Sequence, residues 1–335
     1  MEVYVFGAGA SAAEGAPATG DLFPRAWALL GAEQDRRIAA VWEFLEAVFG
    51  VRIESAASFR NLPAVDDVIS LVDWSLQTHQ GLGHRYDPPR LHQVRRDLEH
   101  LVQETLRASL RLAVRRRGGP HVRFVRRLVA RGAVAHCALI SLNYDTLLDQ
   151  ALARAGLMPD YGLPGCEGTG GGPLLAKLHG SLNWSFCPAC GRVAAPDQPA
   201  AVGGTEGAGG LNRCLRCANP RLRGLIISPT VHKSYPAAGL QHVWDRALEA
   251  IQLADRITFV GYSMPQADLP VYHLVCRGLL TRRRGGRPAI RVINHHRSDL
   301  SPGQRRLERK ALMDRYHRLF GPSVAFDFSG FHGQT

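Results

Sequence analysis

Two hydrophobic rhythms alternate along the chain. Between residues 20 and 131 apolar side chains recur at helix spacing, as in Val41, Trp42, Phe44, Leu45 and Val48, and again in Val68, Ile69, Val72, Trp74 and Leu76. Breaks at Gly81 and Gly83, at Pro88 and Pro89, and at Gly118, Gly119 and Pro120 divide the stretch into several helices, so it reads as a helical insertion rather than as alternating βα units. Outside it the apolar residues form short runs at 3–6, 138–142, 174–178, 225–227, 257–260 and 290–293, the pattern of buried strands. Helices are expected from near Thr146 and over about 240–253. Polar or glycine-rich clusters follow five of these runs: Gly7 to Ser11, Asn143 to Asp145, His179 to Ser181, Gly261 to Ser263, and Asn294. In an open parallel sheet the carboxyl ends of the strands share one edge, where ligands bind, so segments far apart in sequence are expected to converge there.

The expected class is therefore α/β. A Rossmann-like parallel sheet is drawn from 1–20, 132–182 and 223–330, with a helical insertion at 21–131 and a small cysteine module at 183–222. With 335 residues, 45% of them hydrophobic, the chain can bury a full core. No run of 18 apolar residues occurs, and no charged segment precedes an apolar one at the start, which predicts a cytoplasmic protein without a membrane span. The net charge of +12 is almost wholly arginine, and nine arginines fall between Arg107 and Arg131. Such a cluster suits polyanions, but no aromatic residues interleave with it as a single-strand binding surface requires; solvated helix faces are the preferred reading over nucleic acid. A negatively charged partner protein stays open.

Seven cysteines divide into Cys187 and Cys190, Cys214 and Cys217, and the isolated Cys137, Cys166 and Cys276. Two CxxC knuckles can wrap four thiolates round one tetrahedral ion, and a site filled by four cysteines leaves no position for water, so a structural zinc is expected. The opening turn, Gly7 to Ser11, has the form GxGxxA, in which small residues admit a diphosphate to a helix N-terminus; the same turn also forms with nothing bound. Asn143 and His179 are the polar residues best placed for catalysis, and Gly180 is expected to leave the imidazole approachable. Their structural readings are a satisfied histidine, and turn formation and helix capping for Asn143 and Asp145.

GAGAS at 7–11, LNYD at 142–145, KLHGS at 177–181, the two CxxC pairs, VGYS at 260–263 and VIN at 292–294 occur in the order seen in sirtuins, and the chain resembles that family over nearly its whole length. SLNYDTLL, LLAKLHGSLNW and ISPTVHKSY look closer to the sirtuin-like NAD hydrolases of bacterial anti-phage defence than to protein deacylases. Where deacylases carry a GIPDFR-type stretch this chain has GAPATG at 15–20; it has Leu142 in place of the glutamine of TQNID, and Ser228, Pro229 and Thr230 in place of an FGE-type segment.

The resemblance implies that Gly7, Ala8, Gly9 and Ser11 surround the diphosphate of NAD, that Gly261 and Ser263 help to bind it, and that Asn294 lies near the adenosine ribose. It further implies that Asp145 contacts the nicotinamide amide, Asn143 orients a water, and His179 serves as general base or holds the ribose. The implied activity is hydrolysis of NAD to nicotinamide and ADP-ribose. The alternatives are a deacylase or ADP-ribosyltransferase using the same cofactor, and a non-catalytic NAD or ADP-ribose sensor. A toxic hydrolase must be kept silent, so self-assembly or a separately encoded regulatory partner is expected, with the helical insertion as its surface. NAD and NADP are not distinguished at this level.

Overall fold

The computed structural model describes residues 1–31, 35–115, 118–164, 171–195, 213–227, 238–265, 268–283, 285–295 and 300–333. Its strands are β1 (Glu2–Phe6), β2 (Cys137–Ser141), β3 (Met158–Asp160), β4 (Gly171–Lys177), β5 (Gly180–Phe186), β6 (Val193–Ala194), β7 (Arg223–Ile226), β8 (Arg256–Val260), β9 (Ala289–Ile293) and β10 (Val324–Asp327). The helices are α1 (Ala8–Ala12), α2 (Leu22–Leu30), α3 (Arg36–Phe49), α4 (Val65–Gln77), α5 (Pro88–Arg115), α6 (Pro120–Ala130), α7 (Leu147–Arg154), α8 (Ala238–Leu253), α9 (Leu269–Leu280) and α10 (Pro302–Phe320). Contacts group the chain into two compact units, one of Met1–Glu14, Ala113–Ile226 and Tyr235–Thr335, the other built mainly from Gly15–Leu112.

The first unit holds a seven-stranded sheet in the order β10-β9-β8-β1-β2-β4-β3, parallel throughout. β1 lies at its centre, with Val3 opposite Ala138 on one side and Ile257 on the other. Val3, Phe6, Leu139, Ile257 and Phe259 are wholly buried, as continuous apolar strands must be when a sheet is covered on both faces. On one face the ring of Phe124, on α6, stands edge-on to Tyr4 and Phe6 at 5.0 and 5.3 Å. From β1 the chain first builds toward β3, then returns to lay β8, β9 and β10 on the opposite flank. The order reverses beside β1, and a crevice at the carboxyl ends of the strands follows from that reversal.

Five of the six expected runs are strands of this sheet. The sixth, at 225–227, is a strand of a different kind: β7 pairs antiparallel with β5, which also pairs antiparallel with β6, in a separate three-stranded sheet. Four further strands have no clear apolar signal, among them the two-residue β6. β3 is three residues long with Pro159 at its centre, β5 opens on Gly180 and Ser181 and reads as a turn, and β10 alternates over four residues.

The second unit is helical among its described residues, and its breaks fall where glycine and proline place them: α5 opens on Pro88, as α6 of the first unit does on Pro120. Ile38, Val41, Trp42, Phe44 and Leu45 are buried on α3, and Val65, Val68, Ile69 and Val72 on α4, whereas Trp74 is half exposed. Among the described residues no helix is long and apolar enough to cross a membrane.

Candidate functional site

Because the large sheet is parallel, the segments after β1, β2, β4, β8 and β9 all leave its same edge. Gly7 donates its amide to Val260 O at 2.9 Å and Gly9 to Gly261 O at 2.8 Å, so the turn after β1 is pinned to the turn after β8. A Cβ on Gly7 would stand 2.8 Å from Gly261 O; one on Gly261, whose φ is +61°, would stand 2.1 Å from the amide nitrogen of Ala10. Close packing of loop on loop is thus a physical requirement for these glycines, beside the diphosphate approach expected of them. The amides of Gly9 and Ala10 are engaged by Gly261 O and Gly7 O, while Ala8 is exposed at the edge.

Asn143 leaves the end of β2 and crosses to this turn. Its Nδ2 donates to Gly7 O at 2.9 Å and to Ser11 Oγ at 2.8 Å; Ser11 Oγ in turn donates to Asp145 Oδ2 at 2.5 Å. Asp145 Oδ1 accepts the amide of Leu147, the first residue of α7, at 3.0 Å, so this carboxylate both ties down the start of α7 and completes a chain of three side chains. With both amide protons of Asn143 committed, its Oδ1 is the atom that can accept from a water, and the residue is half-buried at the edge.

His179 follows β4. Its Nδ1 lies 3.1 Å from Leu142 O, which receives the Nδ1 proton and leaves Nε2 as the working nitrogen. Nε2 faces Asp268 Oδ1 at 3.5 Å, and Tyr262 donates its hydroxyl to Asp268 Oδ2 at 2.9 Å. Burial, with the Asp268 charge and hydrogen bond added to it, holds the Tyr262 phenol far above its usual range, so it remains a donor. The imidazole is only 4% exposed, with the rings of Tyr144 and Trp244 on either hand at 6.5 Å. The expectation that Gly180 leaves this ring approachable is therefore corrected. Gly180 has φ +79° and a Cβ there would meet Leu225 O at 2.2 Å, so the glycine serves the β5–β7 pairing and does not clear the face of the histidine.

Ser263 and Asn294 stand at the ends of β8 and β9. The Ser263 carbonyl accepts from Arg315 Nε at 2.9 Å, and the Asn294 amide donates to Asp327 O at 2.9 Å, while its side chain accepts from the His295 amide at 2.8 Å. Both occupy the edge expected of them, without a described bond to the Asn143 group. Asp268, Lys177 and Asp149 were not singled out from the sequence. Lys177, a charge at the end of an apolar strand, was the one visible signal; it is 1% exposed and pairs with the fully buried Asp149 at 3.1 Å.

The four cysteines come together as expected. The first knuckle turns the β5–β6 hairpin, with the Cys187 amide on Arg192 O, and the second is closed by the Cys214 amide on Asn219 O. All four sulfurs lie within 4.8 Å of one another, with Cys187 to Cys217 at 3.6 Å and Cys190 to Cys214 at 3.5 Å. A tetrahedral zinc with bonds of about 2.3 Å needs sulfurs about 3.8 Å apart, so the cluster fits that ion. Burial pushes the Cys187 thiol up, but the amides of Cys190 and Ala189 and the neighbouring thiols more than offset it and hold it at about 6. For Cys217 the Asn219 amide lowers the value, yet burial and the other three sulfurs prevail and raise it to about 12. Four sulfurs this close together suit one shared cation.

No protein-family model matches the sequence, and no curated protein does. Among solved structures, a Sir2 homologue in complex with NAD aligns at 18% identity with a TM-score of 0.44, covering 99% of this chain and 85% of that one. A mutant Sir2 homologue with 2′-O-acetyl ADP-ribose aligns at 18% identity and 0.43, over 99% of this chain and 87% of that one. A Sir2 enzyme bound to a propionylated peptide aligns at 12% identity and 0.42, over 100% and 89%. At these identities the chemistry of the site rests on its own residues.

Proposed function

We propose that this chain cleaves the nicotinamide–ribose bond of NAD and transfers the ADP-ribosyl group to water, giving nicotinamide, ADP-ribose and a proton. The observation that supports this most is the state of Asn143. Its amide is fixed by Gly7 O and Ser11 Oγ, so its Oδ1 can accept one proton of a water at the open edge and turn a lone pair of that water toward an anomeric carbon.

Departure of nicotinamide leaves oxocarbenium character on the ribose, and a group already held in place stabilises that charge without reorganising. Asp145, oriented by Ser11 and the α7 amide, is assigned to the nicotinamide carboxamide. His179 Nε2 is assigned to a ribose hydroxyl as general base, which requires the bound cofactor to displace the groups that bury the ring, the Asp268 carboxylate favouring the imidazolium that forms. Gly7, Ala8, Gly9 and Ser11 are assigned to the diphosphate, Gly261 and Ser263 to the remainder of the cofactor and Asn294 to the adenosine ribose, on the motif resemblance and on their shared edge. Zinc at Cys187, Cys190, Cys214 and Cys217 would hold the small sheet.

Hydrolysis is preferred to deacylation because 15–20, Leu142 and 228–230 depart from the deacylase pattern, the last of them where deacylases carry a segment that helps to form the acyl-lysine channel. Residues 228–230 lie outside the described residues. The same resemblance supports a setting in bacterial anti-phage defence, with self-assembly or a separate partner as the trigger. The test is to supply zinc-replete protein with NAD or NADP, alone and with an acyl-lysine peptide, and to resolve the products. The proposal expects ADP-ribose without the peptide. Nicotinamide release that needs the peptide would establish a deacylase, and tight NAD binding without turnover a sensor.

A further inference from the structure

A deeply buried cation beside the site, Lys177, has no part in the chemistry just described. Lys177 Nζ has three protons and three acceptors: Asp149 Oδ2 at 3.1 Å, Ser181 Oγ at 2.6 Å, and the backbone carbonyl of Asp145. Asp149 is itself held at Oδ1 by the Tyr161 hydroxyl at 2.7 Å and by Asn183 Nδ2 at 3.5 Å. Ser181 Oγ also lies 2.5 Å from Asn183 Oδ1 and 3.3 Å from the Tyr144 carbonyl. Asp145 stands two residues after Asn143, and Ser181 two residues after His179. One ammonium therefore ties together the two loops that carry the candidate catalytic side chains.

A buried ion pair is a poor way to gain stability, because desolvating both charges offsets most of their attraction and apolar residues of equal volume commonly do as well. What such a pair does supply is fixed geometry, since an ammonium that has lost its water keeps every acceptor it has. We propose that Lys177, held in place by Asp149, is a positioning residue that sets the spacing between the Asn143 loop and the His179 loop. Asn143 and His179 act on the same ribose in the hydrolase reading, on which this proposal rests, so their separation governs turnover more than cofactor affinity.

The test uses the full chain with zinc bound. Lys177→Met combined with Asp149→Asn removes both charges, so neither is left alone in the core; Ser181→Ala cuts one of the three tethers with little change of volume. Hydrogen exchange is followed over 142–145 and 178–182, alongside steady-state kinetics with NAD. The double variant is expected to keep its zinc content, to exchange faster in both loops, and to lose about tenfold or more in kcat, with KM within about threefold. Ser181→Ala is expected to change both readouts in the same direction by less, and it decides the matter if the double variant does not fold. Wild-type exchange in both loops, or wild-type kcat in the folded variants, overturns the proposal. If the unmodified protein does not hydrolyse NAD the hydrolase reading falls, and loop exchange alone still decides whether Lys177 fixes the two loops.

Discussion

At the scale of single residues, the candidate site is made by residues that each serve more than one contact at once. Asp145 accepts the first amide of α7 and stands in the Asn143 to Ser11 chain; Gly261 gives a loop its left-handed turn and the space for its neighbour. Gly261→Ala should therefore cost about 1–3 kcal/mol, more than a surface change, because a Cβ there meets the Ala10 amide nitrogen and the backbone is strained as well. A thermal melt of that variant checks it, and an unchanged melt would show that the two turns are looser than described. Glu14 offers a second check. Burial pushes its carboxyl up, but the ring and amide of His121 prevail and hold it below the usual carboxylate range. A carboxyl lowered by folding stabilises above its unfolded value of about 4.3 and stops doing so as pH falls through the folded one. Glu14→Gln should accordingly lower the melting temperature at pH 7, and the gap from the unmodified protein should close as the melts are repeated toward pH 3.

Which residues could be read from the sequence follows from how far their meaning depends on tertiary contact. Asn143 and His179 follow apolar runs, and the cysteines are paired by spacing, so each carries a local mark. Asp149 and Asp268 carry none. Asp149 looks like any polar residue on a short helix until α7 is laid against the end of β4, and Asp268 acquires a role only when the loop after β8 reaches His179.

At the scale of elements, apolar strands and proline-opened helices were legible, while β3, β5, β6 and β10 were not, because their burial comes from neighbours rather than from their own pattern. β5 is the instructive case. Its first residues, Gly180 and Ser181, have turn chemistry, yet Trp184 at its centre is wholly buried and its hairpin carries the first zinc knuckle. A module of three strands, of seven, two and four residues, around four sulfurs has little core of its own, so its stability should depend on the ion. Removing zinc with a chelator at neutral pH should release about one ion per chain and expose 180–194 and 213–226 to proteolysis, with acid acting in the same sense because the ligands must be thiolates. Protein purified without zinc and equally resistant to protease would contradict this.

At the scale of the whole molecule, the parallel sheet makes one site out of distant sequence. Residues 7–11, 143–145, 179, 261–263 and 294 share an edge because every strand of that sheet points the same way and its order reverses beside β1. That convergence was expected from the polar clusters after the apolar runs; the burial of His179 beneath Tyr144 and Trp244 was not, since ring packing across loops leaves no periodic trace. The measurement that tests the central claim most directly is a time course of nicotinamide and ADP-ribose from NAD, without any other acceptor, for the unmodified protein, Asn143→Ala and His179→Ala. Equal release of both products by the unmodified protein, reduced roughly 100-fold or more in each variant, is the predicted result. Release that continues undiminished in Asn143→Ala would contradict it, because the water would then be placed by some other group.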